Sequence, residues 1–181
     1  MEDLPAYWKK SDVTAIAKAR DYTDLFLIAQ RVQKRMPNLP LTQVCGPIST
    51  GGQGSIEKNM AQLDWAILRL KEIEEKENIP SCVFDQRHFE KPISTILKKR
   101  RETGQVTGYD WDILRRFYEP LFEMGRVQTL VFLPKWRSSK GANWEHEYGV
   151  RKGWKLLYLP NNWPISIKSM RALEGCTQSR L

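Results

Sequence analysis

The run Val127-Gln128-Thr129-Leu130-Val131-Phe132-Leu133 reads as a buried β-strand, and its neighbours along the chain limit what it can pair with. Leu41 to Cys45, Ser81-Cys82-Val83-Phe84 and Lys155-Leu156-Leu157-Tyr158-Leu159 read as further short strands. Between them lie helical patterns long enough to be crossovers: Ile56 to about Lys76, His88 to Arg101, Trp111 to Met124, and a helix from Gly141. Strands that alternate with crossovers of about ten or more residues imply a parallel sheet covered on both faces. The expected fold class is therefore α/β: a single doubly wound domain over residues 1–181, with a parallel sheet of four or five strands and helices on both faces.

A chain of 181 residues matches one ordinary domain with a single substantial core. Ahead of the first strand, Ser11 to Lys34 has helical spacing, with Ser11 as N-cap and an interruption near Asp21-Tyr22-Thr23. Ser55 reads as the N-cap of the long third helix, and Glu57 in its first turn complements the dipole. Thr103-Gly104-Gln105 reads as a breaker, Pro160-Asn161-Asn162 ends the last strand, and a short helix near Ile165 to Leu173 closes the fold. No run approaches the ~18 apolar residues that span a bilayer, and Met1 to Pro5 has no signal-peptide character, so a cytoplasmic, non-membrane protein is expected. Cys45, Cys82 and Cys176 are too far apart for a Cys-x-x-Cys pair, and the two histidines, His88 and His146, make no metal constellation. No metal and no organic cofactor is expected. A net charge of +8 favours an anionic partner, either a phosphorylated metabolite or a nucleic acid.

Ligands of α/β proteins sit at the carboxyl ends of strands, beside helix N-termini. Cys45-Gly46-Pro47-Ile48-Ser49-Thr50-Gly51-Gly52-Gln53-Gly54-Ser55 occupies such a place. Its glycines allow close backbone approach and its hydroxyls can donate to an anion. It is not a Walker A loop, and residue 57 is glutamate where Gly-x-Gly-x-x-Gly would need a third glycine. The bland alternative is a flexible connection.

The second such place follows Val127 to Leu133: Pro134 to Lys140, then Gly141-Ala142-Asn143-Trp144-Glu145. Glu145 reads as an acid near the helix start, but Ala142 three residues earlier forms no capping box with it. A carboxylate there suits a nucleophile or general base, as in glycosyl transfer, with Ser138-Ser139-Lys140 near the ligand's anionic group. His146 points about 100° away from Glu145 around the helix. His88 could line a pocket but reads first as a partly exposed loop residue, and Trp136 and Trp144, which flank the glutamate loop, could stack on a base but read first as packing groups.

Cys45-Gly46-Pro47-Ile48 with Gly51-Gly52, followed later by a strand and Gly141-Ala142-Asn143-Trp144-Glu145, resembles the nucleoside 2-deoxyribosyltransferase-like superfamily. That group includes base-exchanging transferases, 2'-deoxynucleoside 5'-monophosphate N-glycosidases, and cytidylate-type hydrolases. The likeness spans roughly Leu41 to Leu159. Residues 1–40, an N-terminal helical extension, and a helical insertion at about 91–109 have no counterpart. The resemblance implies that Gly-x-x-x-Glu supplies a catalytic glutamate, here Glu145. It also implies that Ile48, Ser49, Gly51, Gly52 and Ser139 lie around the 5'-phosphate; Gly46, Pro47, Ser138 and Gly141 complete the expected substrate-binding set. Ser139 stands where the transferases have aspartate, which favours a nucleoside 5'-monophosphate over a free nucleoside. The family's further acid, which handles base or sugar, corresponds in spacing to Glu119 or Asp112. Asp85, at a strand end, is another candidate. Glu119 and Asp112 have the alternative of a surface ion pair worth ~0–1 kcal/mol, and Asp85 that of a turn residue.

The expected function is thus hydrolysis or transfer at an N-glycosidic bond, with a nucleotide or nucleoside as small-molecule partner and a homo-oligomeric assembly implied by the resemblance. A non-catalytic nucleotide-binding or sensing module is the second reading. A nucleic-acid binder using Lys98-Lys99-Arg100-Arg101 ranks last, because that run reads as a solvated helix face.

Overall fold

The computed structural model describes residues 5–161; the expected helix near Ile165 to Leu173 and Cys176 lie outside the described residues. These residues form two compact units. One comprises 5–43 and 71–128, the other 44–70 and 129–161.

In the first unit, helix α1 (Lys10–Lys18) starts two residues earlier than Ser11-capping would allow. The capping carboxylate is Asp12, which accepts from the Lys9 amide at 3.0 Å. Asp12 is itself buried, paired with Arg35 and, at 3.8 Å, with Arg31. Helix α2 (Tyr22–Arg35) begins at the expected interruption, where Asp21 Oδ1 accepts from the Asp24 amide at 2.9 Å. Its face of Leu25, Ile28, Ala29 and Val32 is fully buried or nearly so.

Strand β1 (Leu41–Cys45) lies where the sequence places it, as does α3 (Ile56–Lys76). Ser55 Oγ accepts from the Lys58 amide at 3.2 Å, as an N-cap should. The expected strand at 81–84 is only an isolated parallel bridge, Thr42 to Val83. Thr42 N donates to Cys82 O and Phe84 N to Thr42 O, each at 2.9 Å. Pro80 precedes this segment and helix α4 (Arg87–Glu102) begins directly after Gln86, so no residues remain to extend a ladder. The break at Thr103-Gly104-Gln105 is a left-handed helix end: Gly104 has φ +71°, and Gln105 N donates to Arg100 O at 2.9 Å.

Trp111 to Met124 is not one regular α-helix. Residues Leu114–Tyr118 form a π turn, closed by Glu119 N–H donating to Leu114 O, and α5 (Glu119–Glu123) follows. Pro120 explains this locally, since it has no N–H to give to a preceding carbonyl.

Strand β2 (Val127–Phe132), which passes into the second unit at Thr129, leads through a short 3-10 turn, Trp136–Ser138, into α6 (Lys140–Lys152), and then β3 (Lys155–Tyr158). The sheet order is β1-β2-β3, and β2 pairs with β3 in parallel, Thr129 with Lys155 through Phe132 with Tyr158. Three strands among the described residues replace the four or five expected, and the difference is the segment at 81–84, reduced to one bridge. α6 is capped by Gly153 in the left-handed conformation (φ +67°). Its Gly149 lies so close to the sheet that an added Cβ would meet Leu156 at 2.8 Å and Leu130 at 2.9 Å. That contact fixes how near α6 runs to the strands.

Candidate active site

Helix α6 opens earlier than the sequence suggests. Its N-cap is Ser139, whose Oγ accepts from the Ala142 amide at 3.3 Å, while Asn143 N donates to Ser139 O at 3.0 Å. Glu145 is therefore the sixth helical residue, in the second turn, and no acid occupies the first. Stabilisation of an acid by the first-turn macrodipole does not account for it, because that effect fades beyond the first turn.

Glu145 shares the inward face of α6 with Ala142 and Gly149, three and four residues away. It is 6% exposed. Its neighbour is Cys45, the last residue of β1, 1% exposed. Burial pushes the Cys45 thiol well above its ordinary pKa, and the Glu145 carboxylate pushes it further while accepting its hydrogen bond. The thiol thus stays protonated at neutral pH and donates to a carboxylate. The Cys45 thiol is thus a hydrogen-bond donor held against the Glu145 carboxyl at the end of β1.

The loop after β1 is brought against the loop after β2. Gly52 N donates to Ser138 Oγ at 2.8 Å, and Ser138 Oγ donates in turn to Lys135 O at 2.7 Å. Gly51 has φ +69°, and a Cβ there would lie 2.2 Å from Ser138 Oγ, so no side chain fits at this crossing. At Gly46 a Cβ would fall 2.6–2.9 Å from Leu133, whose amide donates to Cys45 O at 2.8 Å. The two loops are therefore locked at the carboxyl ends of β1 and β2.

The residue that organises the first loop is Asn59, which sequence reasoning missed. Its Nδ2 donates to Ile48 O at 3.0 Å and Gly51 O at 3.1 Å, and its Oδ1 accepts from Gln53 N at 2.7 Å. It is 2% exposed. A polar residue four positions past the N-cap Ser55, on the inward face of α3, was the available signal. Pro47 is buried beneath Gly52, and Ser49 is exposed at the loop's outer side. Gly51 and Gly52 thus meet Ser138, and Gly46 meets Leu133, while Ser139 and Gly141 open the helix on which Glu145 meets Cys45. Two of the expected phosphate contacts have structural partners: Ser139 Oγ caps α6, and the Gly52 amide serves Ser138. Each hydroxyl retains further hydrogen-bonding capacity.

The remaining candidate acids belong to the first unit. Asp85 is 1% exposed and grips Arg87 through Nε at 2.8 Å and Nη2 at 2.7 Å, with Lys71 Nζ at 2.5 Å. Burial alone would raise its pKa. The Arg87 hydrogen bonds and the Lys71 charge outweigh that and hold it well below the usual carboxylate range. Asp112 accepts from Arg100 Nη2 at 2.7 Å, the same arginine that binds Asp110 through Nε at 2.8 Å. Glu119 is half-buried at the end of the π turn. Arg100 is thus held by Asp110 and Asp112, and Arg101 donates to Gly108 O at 3.3 Å, so half of the Lys98–Arg101 run serves the fold.

His88 lies in the first turn of α4 rather than in a loop, its ring 4.5 Å from that of Trp8. His146 faces away from the glutamate, stacked 4.5 Å from Trp136. Trp144 packs on Tyr148 at 5.2 Å. Among the described residues no group of His, Cys, Asp and Glu is arranged to hold a metal ion, and no helix is long and apolar enough to cross a membrane.

Asn59→Ala removes the three loop bonds and is expected to lower stability by about 1–3 kcal/mol. It should also accelerate amide exchange at Gln53, measured by hydrogen–deuterium exchange; unchanged protection there would contradict the clamp. Asp85 gives a pH signature. Its folded-state pKa is depressed, so its contribution is complete above the ordinary value of about 3.9 and is lost as pH falls below it. Asp85→Asn should cost about 3 kcal/mol at pH 7. It should also flatten the decline of urea stability from pH 5 to pH 2; a decline as steep as in the wild type would contradict the pairing.

Compared with family models, characterised proteins and solved structures, the chain gives no match in any of the three.

Proposed function

We propose that the chain is an N-glycosidic bond enzyme acting on a nucleoside 5'-monophosphate, with Glu145 as nucleophile. The observation that carries this reading is a buried carboxylate, hydrogen-bonded by a thiol, at the carboxyl ends of parallel strands beside a glycine loop and a helix N-terminus. Oxocarbenium character develops at C1' as the base departs, and an ionised carboxylate stabilises that positive charge. The C1'–N bond breaks, the base leaves with the bonding electrons and takes up a proton, and a Glu145 Oε–C1' bond forms. Water, or a second base, then attacks C1' and releases the carboxylate. The resemblance noted in the sequence gives the phosphate to Ser49, Gly51, Gly52 and Ser139, with Ser138 beside them. Their hydroxyls and the N-terminus of α6 suit an anion.

The same proposal includes the finer fold. Counting the bridge at Val83, the strand sequence across the sheet runs 83, β1, β2, β3. Such an order supports the reading of a doubly wound sheet, in which a ligand crevice would lie between β1 and β2. A cytoplasmic setting and a homo-oligomeric state remain parts of this reading.

The hydrogen bond from Gly52 to Ser138 favours a second reading, a pre-formed nucleotide-binding loop without chemistry. Chromatography after incubation with a panel of nucleoside 5'-monophosphates separates the two. The glycosidase reading predicts release of free base, reduced on the order of 10³-fold or more by Glu145→Gln. Binding without release from any nucleotide would establish the second reading. Release that Glu145→Gln leaves unchanged would remove Glu145 from the mechanism.

A further inference from the structure

A separate cleft of about 180 Å³ opens in the second unit, lined by Pro134, Lys135, Trp136, Arg137, Tyr158, Leu159 and Asn161. Neither Glu145 nor the Gly46–Ser55 loop lines it. It lies at the carboxyl ends of β2 and β3, since Leu159 N donates to Phe132 O at 2.8 Å just before its walls diverge. Its volume is well below the roughly 300–1,000 Å³ of pockets that enclose a whole drug-sized ligand. One planar ring fits, with the rest of the ligand outside.

The walls are aromatic and cationic. Tyr158 is half exposed, yet its ring is held in place: its hydroxyl shares a 2.8 Å hydrogen bond with His146 Nε2, and it stacks on Phe132 at 5.6 Å and 24°. Trp136 backs the same stack, 4.5 Å from His146 and 6.0 Å from Tyr158. A ring pre-positioned in this way loses little conformational freedom when a ligand stacks on it. Arg137 lies over Trp136, 4.5 Å from the ring centroid, and Lys135 stands beside it in the left-handed conformation (φ +61°). Both are exposed at the rim, and none of the residues lining the cleft is acidic.

We infer that this cleft is a second nucleotide site, which stacks the base of a mononucleotide on the exposed ring of Tyr158, backed by the buried Trp136, and meets its phosphate with Lys135 and Arg137. The inference goes beyond the glycosidase reading and does not depend on it.

Titration calorimetry with adenosine 5'-monophosphate tests it, on the full chain carrying Glu145→Gln so that the probe is not consumed. With both sites functional, two molecules bind per chain. Adding Tyr158→Ala or Arg137→Gln weakens one of them at least about five-fold and leaves the other unchanged. If a single molecule binds and those variants weaken it, the cleft stands and the nucleotide-binding role of the Glu145 loops fails. Affinity and stoichiometry untouched by either variant would overturn the cleft proposal. A single-stranded adenine hexanucleotide is expected to bind no more than about ten-fold tighter than the mononucleotide, because one ring fills the cleft. Binding beyond that, weakened by the same variants, would overturn the mononucleotide assignment in favour of a nucleic-acid strand.

Discussion

The close approach of α6 to the sheet at Gly149 is the constraint on which the site depends. With hydrogen in place of a side chain, the helix rests on Leu130 and Leu156, and any Cβ there would meet their methyl groups below 3.0 Å. Glu145 lies one turn nearer the helix N-terminus on the same face, so the contact at Gly149 sets its depth. At that depth its carboxylate meets the thiol at the end of β1 instead of solvent. A bulkier residue at 149 would lift the helix and part this pair. Packing, not local propensity, thus puts an acid where water is largely excluded and electrostatic interactions are strong.

The loops around Glu145 are rigid for complementary reasons. Asn59 satisfies two carbonyls and one amide of the first loop from within α3, and Ser138 ties that loop to the second. The glycines at 51 and 52 are required by these contacts as much as by their positive φ, because Ser138 and Asn59 occupy the space a Cβ would need. A loop pre-organised by its own side chains meets a ligand without first losing disorder. Both polar anchors are invisible to a search for phosphate-loop motifs, since neither belongs to the glycine string itself.

Much of the frame was legible in the sequence. β1, β2, α3 with its Ser55 cap, and the order α6 then β3 follow from apolar periodicity and one capping residue, and the two candidate loops follow from where these elements end. The start of α6 was misread because Gly141 looks like a boundary, whereas Ser139 two residues earlier makes the cap. The supposed strand at 81–84 has the composition of one, but Pro80 and the immediate start of α4 leave it a single bridge. The π turn before Pro120 arises from a missing donor whose consequence spreads backward into an otherwise regular helical pattern. The ion pairs of Asp85 and Asp112 were legible only in part: Arg87 is two residues from Asp85, but Lys71 is 14 away, and Arg100 is 12 from Asp112. Long-range pairing of this kind has no periodic signature.

The central claim is that the Glu145 carboxylate forms a covalent bond to C1'. The most direct measurement is intact-protein and peptide mass spectrometry after exposure to a nucleoside 5'-monophosphate carrying fluorine at C2', which destabilises the oxocarbenium state and slows turnover of the intermediate. The account predicts a mass increase equal to the fluorinated sugar phosphate, mapped to the peptide containing Glu145 and absent from Glu145→Gln. Release of base with no adduct on that peptide, or an adduct that persists in Glu145→Gln, would contradict it.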